Sequence, residues 1–297
     1  MLTGTRFPVD DVTGNGGELK AMVREVSSTL SAINTGDFIP SIDWMDLQGL
    51  KKRMVKAHNF FDRIVGRIID DHIEQKRRAL EEKSEWTKDI LDVLLDVVES
   101  QTLEVEFTIE NVKGVLFDLF VSGMETTATS MEWTITTLIR HPWVAKKLQE
   151  EINSIVGKER MITESNIPNM HYLQCVIKES LRLYPPATLL PPNESSQIVT
   201  VGPQGYAISA KTMLFVNTWA TGRDPTVWED AEEFKPERFM GSKTFDYQGQ
   251  EFDMLPFGIG RRGCRVGIWP LGRCPLFWLN FGIALIGDLK WQPMSHF

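Results

Sequence analysis

The densest chemistry in the chain lies in residues 256–264, Pro-Phe-Gly-Ile-Gly-Arg-Arg-Gly-Cys. Gly258, Gly260 and Gly263 satisfy the spacing G-x-G-x-x-G. A dinucleotide loop also needs a strand before it, a helix opening within it, and a later strand bearing an acid. Here Glu-Phe-Asp-Met-Leu-Pro precedes it, two arginines sit inside the loop, and little chain follows. The nucleotide reading is therefore set aside. What remains is a loop wrapped around Cys264. Glycines let backbone approach closely and adopt positive φ. The charge of Arg262 favours a thiolate and can pair a carboxylate or propionate. Phe257 offers a flat apolar cover. Such a thiolate, ahead of an apolar stretch, suits an axial ligand for haem iron. A small buried cysteine in a turn explains the same residues, and on spacing alone that plainer reading is preferred.

Three further segments bear on the choice. Glu179 and Arg182, in Lys-Glu-Ser-Leu-Arg, stand at i and i+3 on one helix face and can pair. The plain reading of such a pair is a surface contact of small energy. Arg238 lies in Phe-Lys-Pro-Glu-Arg-Phe, residues 234–239, a stretch without periodicity. Residues 122–127, Ser-Gly-Met-Glu-Thr-Thr, interrupt a helical pattern with residues of low helix propensity, which asks for a packing or functional reason. Gly123 would admit a bulky partner to the backbone. Thr126, beside Glu125, either serves chemistry or bonds back to the carbonyl four residues earlier.

The elements that must position these residues are mostly helical. Apolar spacing predicts helices over about 18–32, over 50–82 (with a stripe of Met54, His58, Phe61, Val65, Ile68 and Ile69), and around Leu91, Leu94, Leu95 and Val98. The longest runs from Thr108, its N-cap, to Arg140, where His141-Pro142 stops it. At ~1.5 Å per residue it would measure roughly 50 Å. Further helices are expected from Pro142 to Gly157 and from Met170 to Tyr184, and a last one within Leu276–Gly287. Residues 198–201 and 213–216 read as short strands around a Gly/Pro turn. The expected fold is mainly α with a small β portion, in a single domain spanning residues 1–297.

Composition narrows the class. With 297 residues, nine Trp and sixteen Phe, the chain needs an interior. A net charge of −8 argues against a nucleic-acid partner. Three cysteines make no disulfide scaffold, and Cys175 and Cys274 read as buried thiols. The five histidines show no metal-ligand spacing. No run reaches the roughly 18 apolar residues of a spanning helix, and the N-terminus carries no targeting signal.

In this order along the chain, Ser-Gly-Met-Glu-Thr-Thr, Lys-Glu-Ser-Leu-Arg, Phe-Lys-Pro-Glu-Arg-Phe and Phe-Gly-Ile-Gly-Arg-Arg-Gly-Cys resemble the cytochrome P-450 family, in particular its plant-type microsomal members. Residues 219–239 are similar to those members almost throughout, and the resemblance is strongest over 112–272. It implies the cytochrome P-450 fold lacking its N-terminal part, so that 1–297 is a partial, C-terminal haem-binding portion. It implies haem b, with Cys264 as thiolate ligand to the iron and Arg262, Phe257, Gly258 and Gly123 around the cofactor. Glu179, Arg182 and Arg238 match a structural triad, and Glu125-Thr126 match the acid–alcohol pair that delivers protons during O2 activation.

The implied activity is a haem-thiolate monooxygenase inserting one atom of O2 into a small lipophilic substrate. Electrons would come from an NADPH-dependent reductase, so NADPH acts only indirectly. Two other readings are a haem-thiolate isomerase or dehydratase and a non-catalytic fragment without a competent haem pocket. Two departures stand out: the glycine after Cys264 falls one residue late, at Gly267, and Asn193 occupies a position where plant members often carry a basic propionate partner. The family implies the cytosolic face of the endoplasmic reticulum membrane. This chain shows no anchor and is expected in the cytoplasm.

Overall fold

The computed structural model describes residues 15–30, 32–84, 86–101, 104–157, 163–241 and 252–264. The expected helix within Leu276–Gly287, Cys274 and Gly267 lie outside them. The chain separates into two compact units, Met1–Glu125 and Thr126–Phe297, each described by itself.

The first unit is helical throughout its described part. Its elements are α1 (Asn15–Leu30), a short α2 (Thr35–Phe38), a 3₁₀ turn Pro40–Met45, α3 (Leu50–Glu81), α4 (Ile90–Ser100) and the opening turns of α5 (Ile109–Arg140). Each longer helix turns one apolar stripe inward. Met22, Val23 and Val26 of α1 meet Ala57, Phe61, Val65 and Ile69 of α3, with Leu91, Leu95, Val112, Leu116 and Phe120 completing the core. Phe61 packs edge-on against Phe117 at 4.9 Å. The expected stripe on α3 needs one correction. His58 is exposed, and the buried histidine of this helix is His72.

Capping explains where two helices begin. Asp89 accepts from the N–H groups of Leu91 and Asp92 at 2.9 and 3.1 Å, and Asp92 returns the favour by accepting from the Asp89 N–H at 3.1 Å. This reciprocal arrangement satisfies donors that the first turn of α4 would otherwise leave orphaned. Thr108 precedes α5 as expected, but the side chain accepting there is Asn111, bonded by the N–H and hydroxyl of Thr108, both at 2.9 Å.

The second unit continues α5 and adds α6 (Pro142–Ile155), a 3₁₀ turn Glu164–Asn169 and α7 (His171–Leu183). Pro142 at the first position of α6 is pre-set for a helical start, where its missing N–H is no loss. The core gathers Val144, Leu148 and Ile152 of α6 with Leu173, Val176 and Ile177 of α7, and reaches Trp228, Phe234, Phe239 and Met254 in irregular chain.

Four short strands follow: β1 (Asn193–Glu194), β2 (Val199–Val201), β3 (Tyr206–Ile208) and β4 (Met213–Leu214). The two expected strands do not flank one turn. β2 pairs antiparallel with β3, Val199 opposite Ile208, across a turn holding Gly202 and Gly205. β4 instead pairs with β1, Asn193 opposite Leu214. A brief α8 (Thr218–Thr221) and the 3₁₀ turns Pro236–Phe239 and Gly260–Arg262 complete the described elements. Helices thus dominate over a small β portion. No described helix is long and apolar enough to cross a membrane.

Candidate functional site

The Cys264 loop is shaped by its backbone. Gly258 and Gly260 hold φ of 64° and 75°, the left-handed region that residues with a Cβ rarely adopt. These two glycines let the chain turn twice within three residues. The N–H of Gly258 bonds to the carbonyl of Leu255 at 3.2 Å, that of Gly263 to Gly260 at 3.1 Å, and that of Cys264 returns to the carbonyl of Phe257 at 2.8 Å. The last bond closes the loop, so Cys264 is carried back beside Phe257. Phe257 in turn packs on the core of the second unit.

Within this frame Cys264 is exposed and free. Cysteine is among the most buried residue types, so an exposed thiol in a rigidly closed loop departs from the plain expectation of a small residue filling a turn. Cys175 shows the contrast: it is buried, and burial pushes its thiol up from the ordinary cysteine range. Arg262 is exposed and makes no ion pair among the described residues. The apolar Ile259 is also exposed, at 43%.

Glu179 and Arg182 lie one turn apart on α7 and are both fully buried. Arg182 forks onto Glu179, Nε to Oε2 at 2.7 Å and Nη2 to Oε1 at 2.8 Å. Its remaining donors reach the carbonyls of Gly222 (2.5 Å), Ala231 (2.6 Å) and Glu233 (3.0 Å). Arg238 donates from Nε to Glu179 Oε1 at 3.0 Å and caps the carbonyls of Glu229 and Glu233. The three residues are brought together, although the Arg238 side chain stays partly exposed at 12%. The N–H of Lys235 gives Glu179 a further donor at 2.8 Å. Gly222 is held to glycine by space, since a Cβ there would run into the backbone carbonyl of Arg182. The bland surface-pair reading therefore fails for Glu179 and Arg182.

On α5, a Cβ at Gly123 would meet nothing within 4 Å among the described residues. Glu125 is half-buried, its Oε2 shielded from water and without a hydrogen-bond partner among the described residues. Thr126 is exposed. Back-bonding by hydroxyls does occur further along the helix, where Thr136 and Thr137 donate to the carbonyls of Glu132 and Trp133 at 2.7 and 2.9 Å. Asn193 is exposed on β1.

Sequence reasoning did not reach the carbonyls of Gly222, Ala231 and Glu233, or Trp228, whose ring lies 5.3 Å from the Arg182 guanidinium. A carbonyl acceptor carries no residue signature, so only the conspicuous lack of regular structure over 222–239 hinted at it.

A helical fold with two small two-stranded sheets, a glycine-closed cysteine loop and a Glu–Arg–Arg cluster built on two buried residues point to one class, and comparison with known proteins agrees. The family model for Cytochrome P450 matches residues 7–267, and the chain belongs to that family. It is 44% identical over 271 residues to Cytochrome P450 750A1 of Pinus taeda, covering 89% of this chain and 51% of that protein. It is 43% identical over 281 residues to Cytochrome P450 71A1 of Persea americana, covering 92% and 55%. Beta-amyrin 24-hydroxylase of Glycine max is 40% identical over 251 residues, covering 83% and 48%. Among solved structures, a zebra fish cytochrome P450 with progesterone aligns with a TM-score of 0.68 and 26% identity, over 94% of this chain and 58% of that one. The chain spans about half the length of the curated relatives it matches.

The family implies haem ligated by a cysteine thiolate. The residues present fit it. Of the two described cysteines only Cys264 offers its sulfur to an outside group, and an unpaired guanidinium for a carboxylate stands two residues away.

Proposed function

We propose that this chain is the haem-binding portion of a haem-thiolate monooxygenase, with Cys264 as the axial ligand. The observation that carries the reading is the exposed Cys264 thiol in a loop closed onto Phe257 and bent by two left-handed glycines. Haem bound there supplies O2 activation, its iron made electron-rich by the thiolate. The protein's own residues do the rest. The loop holds the sulfur in one position, and Arg262 offers a charged fork to a propionate. Phe257 and Gly258 belong to the loop that would hold the cofactor, and Gly123 leaves the backbone of α5 open to a bulky partner. Glu125 holds a carboxylate oxygen away from water, and Thr126 offers a hydroxyl one residue on, the pair that a proton relay needs. The Glu179–Arg182–Arg238 cluster fixes the irregular chain from 222 to 239.

The substrate class is a small lipophilic molecule, with electrons from an NADPH-dependent reductase at the cytosolic face of the endoplasmic reticulum. Relatives named as a beta-amyrin 24-hydroxylase and a 3,9-dihydroxypterocarpan 6A-monooxygenase support the monooxygenase reading.

The test is the difference spectrum of the reduced, CO-treated protein. A thiolate-type red-shifted Soret band that disappears in Cys264→Ser is expected. An unchanged haem spectrum in Cys264→Ser would remove the ligand assignment.

A further inference from the structure

The first unit holds a second cluster of reactive side chains that the haem reading does not use. His72, within the last three turns of α3, is 5% exposed, and its Nε2 has no hydrogen-bond partner among the described residues. That nitrogen lies 3.3 Å from Asp92 Oδ1 and 3.7 Å from Asp89 Oδ1, out of line for a hydrogen bond. Asp92 is fully buried, and its Oδ1 also makes no aligned hydrogen bond. Its other oxygen is pinned by the indole N–H of Trp86 at 3.0 Å and the Asp89 N–H at 3.1 Å. One potential donor atom from each of His72, Asp89 and Asp92 falls within 4.8 Å of the others.

We propose that His72, Asp89 and Asp92 form a binding site for a divalent d-block cation of the zinc type. Three physical points carry this. Ligands about 2.0–2.1 Å from a tetrahedral zinc stand roughly 3.3–3.4 Å apart, close to the 3.3 and 3.7 Å separations of the histidine nitrogen from the two carboxylates. One imidazole with two carboxylates suits zinc and its neighbours better than calcium or magnesium, which take oxygen shells. The bonds from Trp86 and the Asp89 backbone fix Asp92 through its second oxygen and present the first, as outer-shell donors do in metal sites.

A built-in competitor is present. Lys76 Nζ stands 3.0 Å from Asp92 Oδ1 and neutralises it in the metal-free chain. Lys76 reaches in from the surface, with its side chain 27% exposed, and has a second carboxylate at 3.6 Å in Asp96. It can withdraw to Asp96 when a cation takes its place. Bound metal would staple the end of α3 to the start of α4, across the connection between His72 and Asp89.

Equilibrium dialysis of the full chain against micromolar zinc, with metal analysis and thermal unfolding, tests the proposal. Asp89→Asn is the decisive variant, because asparagine keeps the Oδ1 that caps α4 while removing the negative charge that a cation needs. Wild type should retain one zinc more per chain than Asp89→Asn, and its unfolding temperature alone should rise with zinc. His72→Gln should lose the same equivalent. Lys76→Met, which removes a competing charge, should bind zinc about tenfold or more tightly. Equal zinc in wild type and Asp89→Asn would place any bound metal elsewhere, on a thiol for instance, and would overturn the proposal. Zinc binding confined to Lys76→Met, or absent from every variant, would overturn it equally.

Discussion

Glu179 in the second unit and Asp92 in the first are both fully buried carboxylates facing cations. Around Glu179 every strong donor has an acceptor: Arg182 spends its guanidinium on both carboxylate oxygens and three carbonyls, and Arg238 and the Lys235 N–H complete the shell. Around Asp92 the closure is partial. Lys76, His72 and Trp86 converge on it, yet His72 Nε2 and Asp92 Oδ1 remain without aligned bonds. A planar guanidinium matches a carboxylate in two parallel bonds, whereas an ammonium and an imidazole edge approach as single points. The closed cluster is a fastener. The open one keeps coordination capacity in reserve.

If this contrast is right, breaking the closed cluster has the largest effect. Glu179→Ala leaves Arg182 buried and uncompensated, a loss of ~3–5 kcal/mol against a typical domain stability of ~5–15 kcal/mol. Chemical denaturation of the full chain should show it, and a loss under 1 kcal/mol would mean that the carbonyls alone satisfy Arg182. Gly222→Ala attacks the same cluster from the backbone side, pressing a methyl against the Arg182 carbonyl. Overpacking of this kind costs about 1–3 kcal/mol, to be read from the shift of the denaturation midpoint.

Asp92→Asn in the open cluster should cost less than Glu179→Ala, about 1–3 kcal/mol. Acid sharpens this comparison. Burial alone would raise the Asp92 carboxyl, but the Lys76 ammonium, the Asp89 N–H and Trp86 hold it at about 2, below its ordinary 3.8. The folded value is the depressed one, so the stabilisation is fully present above pH ~4 and is lost as pH falls toward ~2. Asp92→Asn should flatten that part of the stability–pH curve, and an unchanged acid slope would sink the assignment. At the small end stands Arg77, which bridges Glu74 and Glu81 on the exposed face of α3. Arg77→Ala should leave the denaturation midpoint within error, as solvent-exposed pairs contribute little.

The sequence exposes these features unequally. Helices show because their apolar stripes repeat, and α3, α5, α6 and α7 begin and end within two residues of where periodicity and proline place them. Strand pairing was less visible. β1 and β3 are two and three residues long, too short for alternation to register, and the partner of β4 is set by chain that returns from far upstream. Ordered motifs bring Glu179, Arg182 and Arg238 to notice, but their carbonyl partners have no signature. His72 escapes for a different reason. Its carboxylates come from another helix, so no local spacing marks the group, and His58 holds the stripe position that His72 fills in fact.

The reach of Arg182 has a consequence in time. Its acceptors at Gly222, Ala231 and Glu233 lie 40 to 51 residues downstream. Chains emerge at about 5–20 residues per second, so α7 leaves the ribosome roughly 2–10 s before the last carbonyl that will bury its arginine exists. During that interval α6 can already pack on α7, but Arg182 lacks the three carbonyls that complete its shell. The segment after α8 is therefore a late arrival that completes the hydrogen bonding of an earlier helix, and slower translation across residues 222–233 lengthens the time Arg182 spends without those acceptors.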